Sequence, residues 1–166
     1  WEYQYASEYQ HAAPVLAGDQ LVCVGDKDHL LVLEASTGKA LWHEPVLGSQ
    51  YASALAVQDK KIFAVTVDGH VQCHELDGGR LLWRYELGPD LLDMTPYRYA
   101  SCSALAQPVF FKGQCFVAGI DGCLHALDSA GQGVAIARFG SPLSATPCVN
   151  GNAMFLPAYD GTLYKL

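Results

Sequence analysis

Short runs of apolar residues alternate with turns along the whole chain. Examples are Leu21-Val22-Cys23-Val24, Ile62-Phe63-Ala64-Val65 and Cys115-Phe116-Val117-Ala118. Short apolar runs bounded by turn residues are typical of β-strands that are covered on both faces. No segment keeps the apolar period of an amphipathic helix, roughly 3.6 residues, over more than a couple of turns. We therefore predict an all-β protein with almost no helix.

One phrase returns along the chain at a fixed spacing. The segment 33–42, which ends in Trp42, recurs as 74–83, which ends in Trp83, and the tryptophans at 1, 42 and 83 are 41 residues apart. A fixed period of about 20–50 residues is the signature of a repeat architecture. Asp-Gly pairs at 68–69, 121–122 and 160–161 favour tight hairpin turns, because such turns need positive φ.

The repeats predict a β-propeller built from four-stranded antiparallel blades. Blades 1 to 4 are assigned to residues 13–42, 53–83, 103–139 and 145–166. Residues 1–5 are predicted to supply the outer strand of the last blade, which would close the ring and remove an open sheet edge. In the third unit, Ile136-Ala137-Arg138-Phe139 takes the place of the closing tryptophan.

An insertion interrupts the regular spacing. The turn aspartates at 28, 68, 121 and 160 are 40, 53 and 39 residues apart, and we assign the excess to a loop at 88–99 between blades 2 and 3. Insertions in repeat proteins often mark the binding face, and aromatic and arginine side chains are enriched at interaction hot spots. The loop is therefore the predicted binding site, with a solvated or ring-capping loop as the alternative. Its candidate residues are Asp90, Asp93, Tyr97, Arg98 and Tyr99.

The amino-acid composition restricts the kinds of partner that the protein is expected to bind. The 10 basic and 17 acidic residues give a net charge of −7, which disfavours nucleic acid and anionic membrane surfaces. No run approaches the roughly 18 apolar residues of a membrane span, so we expect no membrane insertion. Because the chain opens at Trp1 rather than Met, we expect it to be an excerpt of a longer or processed protein.

The six cysteines form no CxxC motif and lie mostly in apolar runs. They are predicted to be buried free thiols, which indicates a reducing compartment and a cytoplasmic location. A bridge between Cys115 and Cys123 would instead favour the periplasm.

The segment 13–42 resembles the repeat of pyrroloquinoline-quinone (PQQ)-type β-propellers. That repeat has the form A-x-D-x-x-T-G-x-x-x-W, and its tryptophan docks one blade on the next. The resemblance implies a blade-docking role for the glycines and tryptophans of the motif. These residues are Trp1, Trp42, Trp83, Gly38 and Gly79. Members usually carry seven or eight blades, so the four repeats here represent half of a ring, a fragment or an unusually small ring.

The resemblance leaves two functions open. The repeat builds quinoprotein dehydrogenases, the outer-membrane assembly lipoprotein and accessory domains of larger enzymes. Quinoprotein dehydrogenases use a vicinal cysteine pair, Ca²⁺ and a catalytic aspartate, and this chain has no adjacent cysteines. We predict a non-catalytic module that binds a protein or another domain of its own polypeptide, without a cofactor. The alternative is a fragment of a PQQ- and calcium-dependent dehydrogenase, and a homodimer that completes a larger ring is a separate possibility.

Candidate chemistry elsewhere has ordinary interpretations. The turn aspartates could ring a hard cation, but they are more simply turn residues before glycine or histidine. The histidines are expected to be surface or half-buried residues rather than a metal site. No G-x-S-x-G motif supports a serine hydrolase.

Overall fold

In the computed structural model, residues 1–4, 12–25, 28–48, 52–92 and 105–166 are described. These residues form fifteen β-strands and no helix, which confirms the all-β prediction. The strands make four antiparallel sheets, three with four strands and one with three. Within the described ranges, no helix is long and apolar enough to cross a membrane.

Each sheet is one blade, and its strands lie side by side in chain order. Blade 1 contains β1 (Val15–Ala17), β2 (Gln20–Val24), β3 (Leu30–Glu34) and β4 (Ala40–Glu44). Blade 2 contains β5 (Ala52–Gln58), β6 (Lys61–Thr66), β7 (His70–Glu75) and β8 (Leu81–Glu86). Blade 3 contains β9 (Val109–Phe111), β10 (Gln114–Ala118), β11 (Cys123–Leu127) and β12 (Gly133–Arg138). Blade 4 contains β13 (Cys148–Asn150), β14 (Ala153–Pro157) and β15 (Leu163–Lys165).

The blades stack face to face through apolar side chains. We call the side of a blade that meets the next blade its forward face, and the opposite side its backward face. Strand β6 shows why both faces are apolar: Ile62 and Ala64 pack on blade 1, while Phe63 and Val65 pack on blade 3. Successive side chains of a strand point to opposite faces, so a central blade needs apolar residues at every position. A separate apolar cluster joins blades 3 and 4 through residues that include Phe116, Leu124 and Met154.

Each tryptophan reaches the following blade in the same way. The indole Nε1 of Trp42 donates to the Leu76 carbonyl oxygen (2.8 Å), and that of Trp83 donates to Ser129 (3.3 Å). Trp1 donates to the Ala35 carbonyl oxygen of blade 1 (3.0 Å). Trp1 and Trp42 each lie 34 residues before their acceptors, whereas Trp83 lies 46 residues before Ser129. The insertion between blades 2 and 3 accounts for the longer spacing.

A glycine underlies each docked indole. Gly38, Gly79 and Gly131 all have positive φ, at 74°, 71° and 80°. A Cβ atom at Gly131 would lie 2.5 Å from Cγ of Trp83, and one at Gly79 would lie 3.0 Å from the Trp42 ring. Both the backbone conformation and the close approach of the ring therefore favour glycine at these positions.

The outer strand of blade 3 departs from the repeat. In blades 1 and 2 the tryptophans lie opposite the third strand, with Trp42 opposite Val32 and Trp83 opposite Cys73. At the equivalent position of blade 3, Val134 lies opposite Ala126. The tryptophan position therefore falls at Val134 rather than within the predicted 136–139 segment. Phe139 still packs on blade 4, because its ring centroid lies 4.5 Å from that of Tyr164.

Residues 1–4 lie outside any strand, unlike the outer strand of blade 4 predicted at 1–5. Trp1 nevertheless packs on the β3–β4 turn of blade 1, as Trp42 and Trp83 pack on the corresponding turns of blades 2 and 3. Local alternation of large and polar residues favours a strand, but it does not specify which sheet edge the strand joins.

Five cysteines lie in the described ranges, and no disulfide joins any two of them. Cys23, Cys73, Cys115 and Cys123 are buried, and Cys148 is exposed. Cys115 opposes Leu127, whereas Cys123 opposes Arg138, so the bridge considered between Cys115 and Cys123 is not formed.

Candidate functional site

The segments that leave the outer strands run beside the turns between second and third strands. The backbone N–H of Leu47 donates to the Asp28 carbonyl oxygen, and that of Leu87 donates to Gly69 (2.8 Å each). In blade 3, the N–H of Phe139 donates to the Gly122 carbonyl oxygen (2.8 Å). These segments and turns share one side of the molecule, which we call the connection face. The insertion between blades 2 and 3 leaves from this face.

The first residues of the insertion are fastened to blade 3. The N–H of Gly88 donates to Oδ2 of Asp121 (3.0 Å), and the N–H of Leu91 donates to the Ile120 carbonyl oxygen (3.1 Å). Leu91 lies over the turn glycine Gly122, where a Cβ atom would come 2.8 Å from its Cδ1, yet half of its surface is exposed (50%). The described base of the insertion therefore bridges two blades.

A buried network surrounds that attachment, and we call Tyr85, Gly88, Asp121, Cys123 and His125 the Asp121 network. Nε2 of His125 lies 2.8 Å from Oδ2 of Asp121, and the N–H of Cys123 donates to Oδ1 (3.0 Å). Nδ1 of His125 lies 3.1 Å from the hydroxyl of Tyr85 on blade 2. Asp121 and His125 are only 4% and 3% exposed. The network thus connects blade 2, blade 3 and the insertion.

Glycines make room for the Asp121 carboxylate. A Cβ atom at Gly88 would lie 2.6 Å from Oδ2, and one at Gly119 would overlap the other side of the carboxylate. Buried carboxylates are tolerated where hydrogen-bond donors satisfy them. Two backbone N–H groups and one imidazole approach the Asp121 carboxylate. Because these groups lie so close to it, the neighbouring positions 88 and 119 have room only for glycine.

The network favours an ionised aspartate beside a neutral thiol. Burial by itself would raise the pKa of Asp121, but the hydrogen bond and charge of His125, together with the Cys123 and Gly88 N–H groups, lower it below its usual value. Burial, followed by the negative charge of Asp121, raises the pKa of the Cys123 thiol. The same two causes, in the same order, raise the pKa of Tyr85.

Asp121, Cys123 and His125 also resemble a metal-ligand set, since their ligand atoms all lie within 4.8 Å of one another. Carboxylate, thiolate and imidazole are ligands of zinc. However, both oxygens of Asp121 and both ring nitrogens of His125 already have hydrogen-bond partners. A metal would therefore have to displace these hydrogen bonds and release the proton of the Cys123 thiol. We interpret the set as a structural network rather than a metal centre.

The other turn aspartates make ion pairs or hydrogen bonds within their own blades. Asp28 lies 3.0 Å from Nδ1 of His29, and Asp68 lies 3.1 Å from Arg84 and from His70. Oδ1 of Asp160 accepts the N–H of Thr162 (2.9 Å). Each of these three carboxylates therefore acts as a turn or ion-pair residue.

The structure describes only part of the predicted binding loop. Asp90 is half-buried at the base of the insertion, directly before Leu91. The other four candidates, Asp93, Tyr97, Arg98 and Tyr99, lie outside the described residues.

The histidine prediction was wrong for two residues, since His74 is fully buried and His125 nearly so. The ring of His74 is held between the Gly79 carbonyl oxygen and Oε1 of Gln72, at 3.0 Å each. The sequence signal for His125 was the Asp121-Gly-x-x-His125 spacing together with Tyr85, two residues after Trp83. No local pattern links Tyr85 to His125, because the two residues belong to different blades.

Comparison with known families agrees with this architecture. The model of the family described as outer membrane protein assembly factor BamB, which represents the PQQ-type repeat, matches residues 1–104 and 68–166, and so covers the whole chain. The chain belongs to this family. Among curated protein sequences, none matches it significantly.

Solved structures show the same fold at low sequence identity. The chain is similar to BamB from Moraxella catarrhalis, with a TM-score of 0.78 and 21% identity over 97% of this chain and 47% of that one. It therefore spans about half of that BamB chain. It is also similar to the computationally designed Ika4 protein, with a TM-score of 0.75 and 18% identity over 98% and 94% of the two chains.

A third similar structure is the quinohemoprotein alcohol dehydrogenase ADHIIG from Pseudomonas putida HK5. The TM-score is 0.68 and the identity 12%, over 90% of this chain and 28% of that one. At these identities the three structures establish the blade architecture alone.

Proposed function

We propose that the chain is a non-catalytic propeller module that binds a protein, or another domain of its own polypeptide, through the insertion between blades 2 and 3. The observation that carries this proposal is the rigid attachment of the insertion. Its base is fixed by the Gly88–Asp121 and Leu91–Ile120 hydrogen bonds, at 3.0 and 3.1 Å. A binding segment that leaves a fixed base loses less conformational freedom on association.

Three further observations support the proposal. Leu91 combines a fixed backbone with a half-exposed apolar side chain, which suits the edge of a protein interface. The matching family is described as an assembly factor, a role that involves contacts with other proteins. The residues that follow the base include Tyr97, Arg98 and Tyr99, the types enriched at interaction hot spots. No cofactor is needed for this function.

Site-specific photocrosslinking would test the proposal in the source cells. A photoreactive phenylalanine analogue at Leu91 should crosslink one defined protein, whereas the same analogue at Tyr159, which is exposed (68%) in the turn of blade 4, should not. The crosslinked protein is then produced recombinantly and titrated against the parent chain and the Tyr97→Ala/Arg98→Ala variant.

We expect the double variant to bind at least roughly tenfold more weakly, since hot-spot truncations typically cost more than about 1 kcal/mol. Its thermal unfolding should match that of the parent chain. Equal affinities, or the same crosslinking at Tyr159 as at Leu91, would refute the loop as the binding site.

A further inference from the structure

A buried polar pair lies on the backward face of blade 2, between blades 1 and 2. Its members are His74 and Gln72 of β7, whose side chains are 0% and 2% exposed. Across the sheet they lie opposite Ile62 and Ala64 of β6, which belong to the apolar cluster that joins the two blades. Polar side chains in such surroundings are stable only when they have hydrogen-bond partners. The partners of this pair therefore determine which nitrogens of the His74 ring carry hydrogens.

Nδ1 of His74 has to carry a hydrogen. It lies 3.0 Å from the Gly79 carbonyl oxygen, and a carbonyl oxygen can only accept a hydrogen bond. Blade 1 fixes this acceptor, because the ring of Trp42 lies against Gly79 and its Nε1 donates to the Leu76 carbonyl oxygen of the same turn (2.8 Å). The turn therefore offers the same acceptor to His74 in both protonation states of the ring.

The other ring nitrogen also faces an acceptor. Nε2 of His74 lies 3.0 Å from Oε1 of Gln72, while Nε2 of Gln72 donates to the Leu47 carbonyl oxygen at 3.4 Å. For Oε1 to accept a hydrogen bond here, Nε2 of His74 must carry a hydrogen as well. A ring with hydrogens on both nitrogens is an imidazolium. This arrangement of the three oxygen atoms is therefore fully satisfied only when His74 is protonated.

A neutral ring favours a different arrangement. Nε2 of His74 is then an acceptor that faces Oε1 of Gln72, another acceptor. A half-turn of the Gln72 carboxamide places its amide group beside the ring and restores a donor for Nε2. The half-turn breaks the hydrogen bond to the Leu47 carbonyl oxygen, which at 3.4 Å is the longest of the three. The two protonation states therefore differ in whether Leu47 is held.

We propose that His74 and Gln72 form a proton-controlled switch between blades 1 and 2. With the proton on Nε2 of His74, the carboxamide of Gln72 holds the Leu47 carbonyl group; without the proton, the carboxamide turns to the ring and releases that group. Leu47 lies in the connection from β4 to β5, and its N–H donates to the Asp28 carbonyl oxygen (2.8 Å). The switch thus transmits the protonation of a buried ring to the connection face, and it is independent of the proposed binding loop.

The surrounding charges leave the proton of His74 without a counter-ion. The charged or titratable side chains on the elements packed around the pair are Asp28, Glu34, Glu44, His70, Asp77, Arg80 and Arg84. Among the described residues, no charged side chain forms an ion pair with His74. Burial lowers the pKa of His74, and the hydrogen bond to the Gly79 carbonyl oxygen opposes this effect, with a net pKa below the ordinary value of 6.5. We therefore expect the switch to operate in mildly acidic solution.

Heteronuclear NMR of the isotope-labelled protein, titrated from about pH 8 to about pH 4.5, tests the proposal. Three signals should share one midpoint below pH 6.5, namely Nε2 of His74, the side-chain amide of Gln72 and the carbonyl carbon of Leu47. On acidification, nuclear Overhauser contacts of the Gln72 amide protons should move from the His74 ring to Leu47. His70, roughly 13 Å along the same strand, should titrate with a midpoint of its own. A His74 ring that keeps one protonation state while the protein is folded, or that titrates without these movements, would overturn the proposal.

A carboxylate at position 72 separates the switch from a simple effect of charge. Gln72→Glu offers an acceptor to the ring but no donor to Leu47, so the His74 midpoint should rise by at least about one pH unit. The response of the Leu47 carbonyl carbon should then disappear, whereas an effect of the ring charge alone would leave it in place and contradict the proposal. The matched variant Gln114→Glu, at an exposed position of blade 3, should change neither quantity. The titration of the parent protein decides the proposal even where Gln72→Glu does not fold.

Discussion

The stacking of blades 2 and 3 depends on a glycine that leaves space for an indole. We predict that Gly131→Ala destabilises the protein more than Gly140→Ala, although both residues belong to blade 3 or its connection. Both have positive φ, 80° for Gly131 and 70° for Gly140, so both alanines carry a similar backbone penalty of about 1–2 kcal/mol. The matched pair therefore isolates the contact with the indole.

The additional cost at Gly131 comes from Trp83. A Cβ atom there would lie 2.5 Å from Cγ and 2.9 Å from Cβ of Trp83, while one at Gly140 would meet nothing within 4 Å. The indole would have to leave its place beside Phe63, 5.8 Å between ring centroids, and lose its 3.3 Å hydrogen bond to Ser129. Truncating a buried tryptophan costs about 3–5 kcal/mol, and for this half-buried one we expect an extra ~2–3 kcal/mol.

Urea unfolding followed by circular dichroism and by tryptophan fluorescence measures the difference. At about 2–4 °C per kcal/mol for a chain of this size, Gly131→Ala should also melt roughly 5–10 °C below Gly140→Ala. Its fluorescence should shift to the red in the folded state, because Trp83 becomes more exposed. Equal stabilities of the two variants would refute the view that indole docking holds these blades together.

Further predictions concern the buried network, the thiols and the cofactor. Asp121→Ala should cost about 3 kcal/mol in unfolding experiments, because it removes the acceptor of two backbone N–H groups and of His125. Since the pKa of Asp121 is lowered in the folded protein, the part of this contribution that comes from ionisation is complete above the ordinary value of 3.8 and is lost as the pH falls through the lowered pKa. The difference in stability between the parent and Asp121→Ala should therefore shrink at acidic pH, and a difference that stays constant would argue against an ionised carboxylate. Burial raises the pKa of Cys73 to about 11 and that of Cys115 to about 12, so a thiol reagent at pH 8 should label neither before unfolding, as mass spectrometry of labelled peptides can show. Calorimetric titration with PQQ and Ca²⁺ should give no binding heat, and micromolar binding would instead favour the quinoprotein alternative.

The strand pattern was predictable because it is local. Apolar runs, Asp-Gly turns and a fixed period specify hairpins without reference to distant residues. The place of the insertion was also predictable, since the 53-residue interval between Asp68 and Asp121 stands against 40 and 39 elsewhere. The insertion also lengthens the spacing between Trp83 and its acceptor Ser129, which is 46 residues against 34 for the other two tryptophans.

The Asp121 network was not predictable from local pattern. His125 lies within an apolar strand whose residues are all buried, yet a single histidine in a strand does not reveal a carboxylate partner. That partner and Tyr85 come together only when blade 2 stacks on blade 3, with 40 residues between Tyr85 and His125. Likewise, residues 1–5 have the composition of a strand, but composition does not specify whether or where they pair with a sheet edge.

The attachment of the insertion divides its residues into two kinds. Asp121 binds the Cys123 N–H of its own turn, the His125 ring of its own strand and the Gly88 N–H of the preceding blade. The base of the insertion therefore cannot move without disrupting the turn of blade 3. Substitutions at Gly88 or Asp121 should lower stability and binding together. Substitutions at Tyr97 and Arg98 should lower binding alone, because the blade contacts do not involve the end of the loop in our proposal. Comparing the two classes in one binding and unfolding series separates a recognition surface from a structural connection, since a purely structural loop would show no variant that loses binding at unchanged stability.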